Sequence, residues 1–339
     1  MSTAGREPSG GRIAILGAGS WGTALAIHLG RVGHDVTLWA RDPTMIFEIE
    51  RTRQSSRYVP GVAIPESVRP TSDLEGAVAG ASFVVFAIPS HALRSVVRQA
   101  IPALAPTVVL VSAAKGLESD SLARMSQVLI DESAGLPVVV LSGPSFAVEV
   151  ARGLPTAVLA ASSDSVAAEA VQRHFRGPAF RLYASDDVVG VEVGGALKNV
   201  IAIAAGVVEG TGLGHNAMAA LITRGLVEIS RLALAEGGRR DTLAGLSGLG
   251  DLVLTCTGDL SRNRRVGIEL GRGRTLDDVL SGLRMVAEGV RTTGAALALG
   301  ARHGIELPIT AQMAAVLEGQ RTPREAVEAL MLRPQKSEA

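Results

Sequence analysis

The chain has 339 residues, 47% of them hydrophobic, with 33 Lys plus Arg balanced by 33 Asp plus Glu and a mean hydropathy of +0.30. This length predicts two domains with large apolar cores, and the zero net charge excludes a global field that would attract nucleic acid or an anionic membrane. A single cysteine, Cys256, excludes an intramolecular disulfide framework, and six histidines without zinc-like spacing give no reason to expect a metal.

Residues 1–11 are polar and rich in Gly and Ser, without the apolar core of a signal peptide, and are expected to be a flexible tail, as are residues 333–339. No uninterrupted apolar run approaches the roughly 20 residues that span a bilayer. A cytoplasmic protein without membrane insertion is therefore expected.

Residues 12–16 form a β-branched run, followed by Gly17-Ala18-Gly19-Ser20-Trp21-Gly22, a helical apolar pattern over residues 24–29 and a second strand over residues 34–39. Strand, glycine turn, helix and strand within about 30 residues make a βαβ unit, a context that turns a weak glycine motif into a strong dinucleotide-binding signal. Gly17 would make the tight turn, Gly19 would let a pyrophosphate approach the backbone, and Gly22 would let helix pack on strand. The helix N-terminus would face the phosphates, with Ser20 and Trp21 against the cofactor.

At the end of the second strand, Arg41 suits the 2′-phosphate of NADP, which favours NADP over NAD. Asp42, before Pro43, suits either a ribose hydroxyl or a helix N-cap. Residues 53–70 are polar and Pro-rich and read as a surface loop. Buried strands are predicted over residues 82–88, 108–111 and 137–141, the last two leading into turns that carry Lys115 and Gly143-Pro144-Ser145-Phe146-Ala147. Ligands of open parallel sheets bind beyond the carboxyl ends of the strands, so these turns are candidate ligand sites; for Ser145 alone a plain turn role fits equally well.

Residues 156–161 and 180–183 read as late strands, after which helical periodicity dominates. The predicted organisation is α/β, with an N-terminal doubly wound Rossmann-type domain (residues 12–190) and a C-terminal all-helical substrate-binding domain (residues 191–332).

Only three of the 33 cationic side chains are lysines: Lys115, Lys198 and Lys336. Lys198 lies in an apolar helical run, residues 194–206, where an ammonium must pair with an anion or titrate nearer neutrality. A chain that writes its solvated cations as arginine yet keeps lysine here points to an ammonium that can release a proton, which a guanidinium cannot do. A lysine snorkelling from a helix end is the plainer alternative.

Further on, Asp251 stands between Gly250 and an apolar run, able to accept from a substrate hydroxyl, pair with Lys198 or cap a helix. Ser261 reads as a helix N-cap with Arg262 and Asn263 in the first turn, so free amides, a positive dipole end and a guanidinium converge as in a phosphate site, although the spacing alone equally fits a capped, solvated helix with surface arginines. Cations at a helix N-terminus oppose the dipole, a conflict that a bound anion relieves. Glu288 reads more plainly as a helix residue or cap than as a ligand contact.

Together the glycine turn, the Lys115-Gly116-Leu117-Glu118 and Ser142-Gly143-Pro144-Ser145-Phe146-Ala147 segments, Gly194-Gly195-Ala196-Leu197-Lys198-Asn199, Gly248-Leu249-Gly250-Asp251-Leu252 and Ser261-Arg262-Asn263-Arg264-Arg265 resemble the bacterial NAD(P)-dependent glycerol-3-phosphate dehydrogenases over nearly the whole chain. The resemblance implies reversible reduction of dihydroxyacetone phosphate to sn-glycerol 3-phosphate, with Lys198 in proton transfer. It implies cofactor contacts from Ser20, Trp21, Arg41, Lys115, Ala147, Arg262, Val286 and Glu288. It implies substrate contacts from Lys115, Gly143, Ser145, Lys198, Asp251, Ser261, Arg262 and Asn263. Two other readings stay open at this point: a related 3-hydroxyacid dehydrogenase and an NADP-binding sensor without turnover. A helical domain this apolar could also bury a homodimer face.

Overall fold

The computed structural model describes residues 11–282 and 287–334. Eight strands form one sheet: β1 (Ile13–Leu16), β2 (Val36–Trp39), β3 (Val68–Thr71), β4 (Phe83–Phe86), β5 (Val109–Ser112), β6 (Val138–Ser142), β7 (Thr156–Ala161) and β8 (Phe180–Ser185). Their order across the sheet is β8-β7-β6-β5-β4-β1-β2-β3. Every pair is parallel except β6 with β7.

The inner strands are short apolar runs buried on both faces, as helix-covered parallel sheets require. The chain steps outward from β1 through β2 to β3, then returns to the other side of β1 with β4. The strand order therefore reverses beside β1, where Leu16 sits in register with both Trp39 and Phe86. In such sheets the crevice at this reversal is the ligand site.

Residues 53–70 are not a plain loop. They hold a two-stranded antiparallel pair, Gln54–Ser55 with Val59–Ala63, and lead into β3, the outermost strand beside β2. Pro70 disguises β3 in the sequence, and an outermost strand tolerates it because one of its edges makes no ladder bonds.

The described chain divides into two compact units. One takes the described residues through Ala114 together with Met125–Val188; the other takes Lys115–Arg124 and the described residues from Val189 onward. The ten-residue segment after β5 thus packs with the helical unit although it lies between strands in sequence.

The helical unit is built around α2 (Val188–Gly210), in which every residue from Gly190 to Val208 is buried. α2 is long and apolar enough to cross a membrane by length and composition alone, but 89% of its most apolar window is buried inside the protein. A helix apolar on all sides is the expected centre of such a unit. Lys198 therefore sits mid-helix, not near its start. Around α2 lie α3 (Gly214–Ala235), α4 (Asp251–Thr257), α5 (Arg262–Gly271), α6 (Glu288–Arg302) and α7 (Pro308–Leu317).

Glycines set the closest approach between α2 and α5. A Cβ added at Gly206 would fall 2.0 Å from the Arg264 carbonyl oxygen, and one at Gly267 would fall 1.9 Å from that of Ile203. Gly210 and Gly271 meet in the same way one turn further along. Helix-interior glycine costs roughly 1 kcal/mol each relative to alanine, so backbone-to-backbone contact is the compensating gain here.

Candidate functional site

In the sheet unit the sequence after β1 turns sharply into α1 (Ser20–Arg31). Gly17 has φ +114°, and a Cβ there would lie 2.5 Å from the Ala87 carbonyl oxygen. At Gly22 a Cβ would lie 1.8 Å from the Gly17 carbonyl oxygen, so this glycine is required by the turn as well as by packing near Ala87. Gly19 is different. Its extended backbone (φ −73°, ψ −174°) suits any residue, and an added Cβ would meet nothing within 4 Å.

Neither conformation nor internal packing demands glycine at Gly19, and no side chain caps the helix there. The turn fits a dinucleotide pyrophosphate: a cradle that a Cβ would fill, at an uncapped, positive helix end. Trp21 follows, half-buried, with its indole Nε1 making no hydrogen bond among the described residues.

At the end of β2, Asp42 caps the helix Pro43–Thr52 by accepting from the Thr44 amide at 2.9 Å. Its carboxylate is thereby engaged, and Arg41 is left exposed beside it. Beyond β6, Gly143 has φ +135°, and the Ser145 hydroxyl donates to the Gly143 carbonyl at 3.0 Å. Ser145 thus holds its own turn while its oxygen can still accept. Ala147, half-buried, begins the short helix Ala147–Arg152.

In the helical unit two of the three lysines converge on one carboxylate. The Lys198 ammonium donates to Asp251 Oδ1 and, at 2.9 Å, to Thr255 Oγ1. The Lys115 ammonium donates to Asp251 Oδ2 at 2.7 Å. Asp251 is 1% exposed and Lys198 7% exposed. Thr255 in turn donates to the Asp251 carbonyl at 2.6 Å, a one-turn contact that fixes its hydroxyl oxygen toward Lys198.

Burial pushes the Lys198 ammonium down to about 8. The Asp251 carboxylate opposes that shift, and the neighbouring Lys115 charge reinforces it. Two lysines thus share a single carboxylate. Burial pushes the adjacent Cys256 thiol up to about 12, so it stays protonated.

Local backbone geometry delivers these groups. A π-helical turn, Leu246–Gly250, leads directly into Asp251 at the start of α4. It packs against α2 at Gly194, where a Cβ would lie 2.8 Å from the Ser247 carbonyl oxygen.

A second polar link joins three helices. Asn263 Nδ2 donates to Asn199 Oδ1 at 3.0 Å, and the Gly289 amide donates to Asn263 Oδ1 at 3.0 Å. Asn263 therefore ties α5 to α2 and α6, with one amide hydrogen left over. Ser261 caps α5 by accepting from the Arg264 amide at 3.2 Å, retaining its own O–H for donation. Arg262 is exposed in the first turn and Glu288 is half-buried at the start of α6. Val286 lies outside the described residues.

Lys198, Asp251 and Lys115, far apart in sequence, are joined in the structure. Ser261, Arg262 and Asn263 stand together on α5. Gly17, Gly19, Ser20, Trp21, Gly22, Arg41, Gly143, Ser145 and Ala147 belong to the sheet unit. Thr255 and Asn199, which hydrogen-bond to Lys198 and Asn263, are not among the sequence-predicted site residues. The spacing of Thr255, four residues after Asp251, could have flagged it, since residues i and i+4 share a helix face.

A reversal-point glycine turn with an open cradle, and a separate helical unit carrying a desolvated lysine on a carboxylate, define a dinucleotide-dependent dehydrogenase. Two family models, described as NAD-dependent glycerol-3-phosphate dehydrogenase N-terminus and C-terminus, match residues 12–168 and 187–328. The chain belongs to the NAD-dependent glycerol-3-phosphate dehydrogenase family.

Among curated relatives, a glycerol-3-phosphate dehydrogenase [NAD(P)+] of Geobacter sulfurreducens is 54% identical over 272 residues, covering 79% of this chain and 81% of that protein. The protein of the same name from Moorella thermoacetica is 53% identical over 268 residues, covering 79% and 80%. The crystal structure of glycerol-3-phosphate dehydrogenase from Coxiella burnetii matches with a TM-score of 0.92 at 41% identity, covering 95% of this chain and 99% of that one.

Proposed function

We propose that Lys198 is the proton donor and acceptor of the reaction and that the first turn of α5 receives the substrate phosphate. As a member of its family, the chain is an NAD(P)-dependent oxidoreductase that reversibly reduces dihydroxyacetone phosphate to sn-glycerol 3-phosphate, a precursor for glycerophospholipid synthesis. The observation that carries the proposal is the cluster of Lys198, Asp251, Thr255 and Lys115.

The nicotinamide cofactor supplies a hydride to the C2 carbonyl carbon when bound. Of the three ammonium hydrogens of Lys198, one goes to Asp251 and one to Thr255, which leaves the third for the substrate oxygen. That third N–H is the proton given to the forming alkoxide, leaving a neutral amine; in the oxidative direction the neutral amine takes the proton back. Lys115 adds positive charge near the developing oxyanion, while Asp251 keeps both ammoniums oriented.

Ser261, with its free O–H, and the Arg262 guanidinium would hold the phosphate at the positive end of α5. Asn263 would contribute its remaining amide hydrogen, and binding of that remote group would serve to orient the carbonyl. Gly143 and Ser145 are assigned to substrate on the sheet unit. Gly17, Gly19, Ser20, Trp21, Gly22, Arg41, Ala147, Glu288 and Val286 are assigned to cofactor, with Lys115 and Arg262 serving both. Engagement of Asp42 as a helix cap beside an exposed Arg41 supports a preference for NADP. A cytoplasmic location and a homodimer complete the reading.

Purified protein should oxidise NADPH faster than NADH in the presence of dihydroxyacetone phosphate. Arg262→Ala should raise KM for dihydroxyacetone phosphate by at least ~10-fold, since a charged hydrogen-bonding group is lost. An unchanged KM would remove the phosphate assignment, and no oxidation of either nucleotide would remove the reading as a whole.

A further inference from the structure

The segment Lys115–Arg124 leaves the sheet unit and returns to it, and both of its end residues carry an ion pair into the helical unit. At one end Lys115 meets Asp251. At the other, Arg124 Nη1 meets Glu192 Oε2 at 2.7 Å, with side chains 11% and 5% exposed. The second pair lies outside the proton-transfer cluster, and the mechanism above gives it no role.

We propose that the Arg124–Glu192 ion pair is a positioning device that holds the Lys115 ammonium on Asp251 beside Lys198. The inference rests on the roles proposed above for Lys115 and Lys198.

The path between the two pairs is short and closed. Arg124 bridges antiparallel to Leu117, two residues after Lys115. The Glu118 amide donates to the Ala123 carbonyl at 2.9 Å, and the Leu122 amide donates to the Glu118 carbonyl at 2.9 Å. Ser121 Oγ donates to Glu118 Oε2 at 2.5 Å and accepts from the Ala123 amide at 3.1 Å. Leu117, 3% exposed, plugs the loop into the helical core. Fixing Arg124 therefore fixes Leu117 and the short lead to Lys115.

Glu192 and Lys198 both belong to α2, six residues apart, so an axial rise of roughly 9 Å separates them. One rigid helix thus carries both the proton-transfer lysine and the anchor of the loop that brings the second lysine to it. Polar side chains this buried are costly without partners, and an anchor made of a buried pair has one geometry where a solvated pair has many. A loop tethered only at Lys115 would have to order a long, flexible side chain without such support.

The charged and titratable groups that bear on Lys198 are Asp251 on α4, Lys115 on the loop, and the protonated Cys256 thiol on α4. Only Lys115 among them depends on the Arg124 anchor. Withdrawal of its charge raises the proton affinity of Lys198, because the nearby like charge is part of what lowers it.

The test is a double-mutant cycle in the full-length enzyme, with Arg124→Ala and Lys115→Ala singly and together, read as kcat and KM over a pH series. Arg124→Ala should lower kcat roughly 10-fold, fall below about 2-fold when Lys115 is already alanine, and move the Lys198-dependent limb of the pH profile to higher pH. Arg124→Lys, which keeps the charge but not the fork, should recover part of the rate.

Additive losses with an unmoved pH limb would overturn the proposal, since a pair serving stability alone lowers the melting temperature without coupling to Lys115. If Arg124→Ala does not fold, the isosteric Glu192→Gln replaces it in the same cycle with the same two outcomes. A Lys115→Ala enzyme with unchanged kinetics would instead fail the site reading on which the inference rests.

Discussion

The glycine turn after β1 and the lysine cluster of the helical unit are the two candidate binding devices of the molecule, and they are built in opposite ways. The turn is local. Six consecutive residues contain the whole device, and its chemistry is the backbone's own: amides at a helix start and a space where a side chain is missing. The cluster is assembled from three stretches of chain around residues 115, 198 and 251–255, and its chemistry is that of side chains altered by burial. A backbone device works by what is absent and a side-chain device by what is confined, so substitutions should damage them differently.

The largest effect belongs to the confined group. Lys198→Ala should lower kcat by roughly 10³-fold or more while NADPH affinity changes little, because general acid–base contributions reach about 10²–10⁴-fold. The wild-type pH dependence should show the same group. On the role proposed for Lys198, reduction uses the ammonium and should fall as pH rises through about 8, whereas oxidation uses the neutral amine and should rise over the same interval. Because folding lowers the proton affinity of Lys198 from its ordinary 10.5, the unfolded chain binds the extra proton between about 8 and 10.5, and this group's contribution to stability increases with pH across that window. Steady-state kinetics in both directions and melting temperatures over the same pH range check each sign.

An intermediate effect should separate two glycines only three residues apart. Gly19→Ala should leave the melting temperature nearly unchanged and weaken NADPH binding about 10-fold, since the new methyl enters open space assigned above to the cofactor. Gly22→Ala should instead destabilise the fold by about 1–3 kcal/mol, as overpacking does. Thermal melts and cofactor titration read the pair; equal loss of stability in both would show that the turn is not open at Gly19.

The smallest effect is expected at Thr255→Val, which removes one acceptor from Lys198 while Asp251 remains. The loss of kcat should be a few-fold, in line with one hydrogen bond to a charged group partly replaced by the surviving partner. A loss as large as that of Lys198→Ala would mean that Thr255 itself takes part in proton transfer.

The contrast also explains what could be read from the sequence. The β1 turn, the buried strands and the Ser261 cap are specified within a few residues, so strand, turn and helix followed from composition and spacing alone. Lys198 was conspicuous because one charge interrupts an apolar run. Its partner was only one of several candidates for Asp251, because a contact across 53 residues leaves no periodic trace. Thr255 carries a weaker signal: only its spacing, four residues after Asp251, marks it, because a threonine in an apolar helix is otherwise without a distinctive pattern. The strand at Val68–Thr71 was missed because Pro70 breaks the local signal, and the antiparallel placement of β7 is decided by sheet packing that no local run of residues specifies. The departure of Lys115–Arg124 into the helical unit goes with Arg124 pairing with Glu192 and Lys115 with Asp251, contacts between residues far apart in sequence that no local pattern announces.

The glycine contact between α2 and α5 has a consequence for substrate length. Gly206 and Gly210 lie directly on Gly267 and Gly271, so the separation of the two helices is set by the radii of backbone atoms and not by side chains that could be trimmed. The first turn of α5 and Lys198 are carried by those same two helices. On the site roles proposed above, their interval would act as a fixed gauge between phosphate and reacting carbonyl, and enlarging any of the four glycines would be a direct way to reset it for a longer molecule.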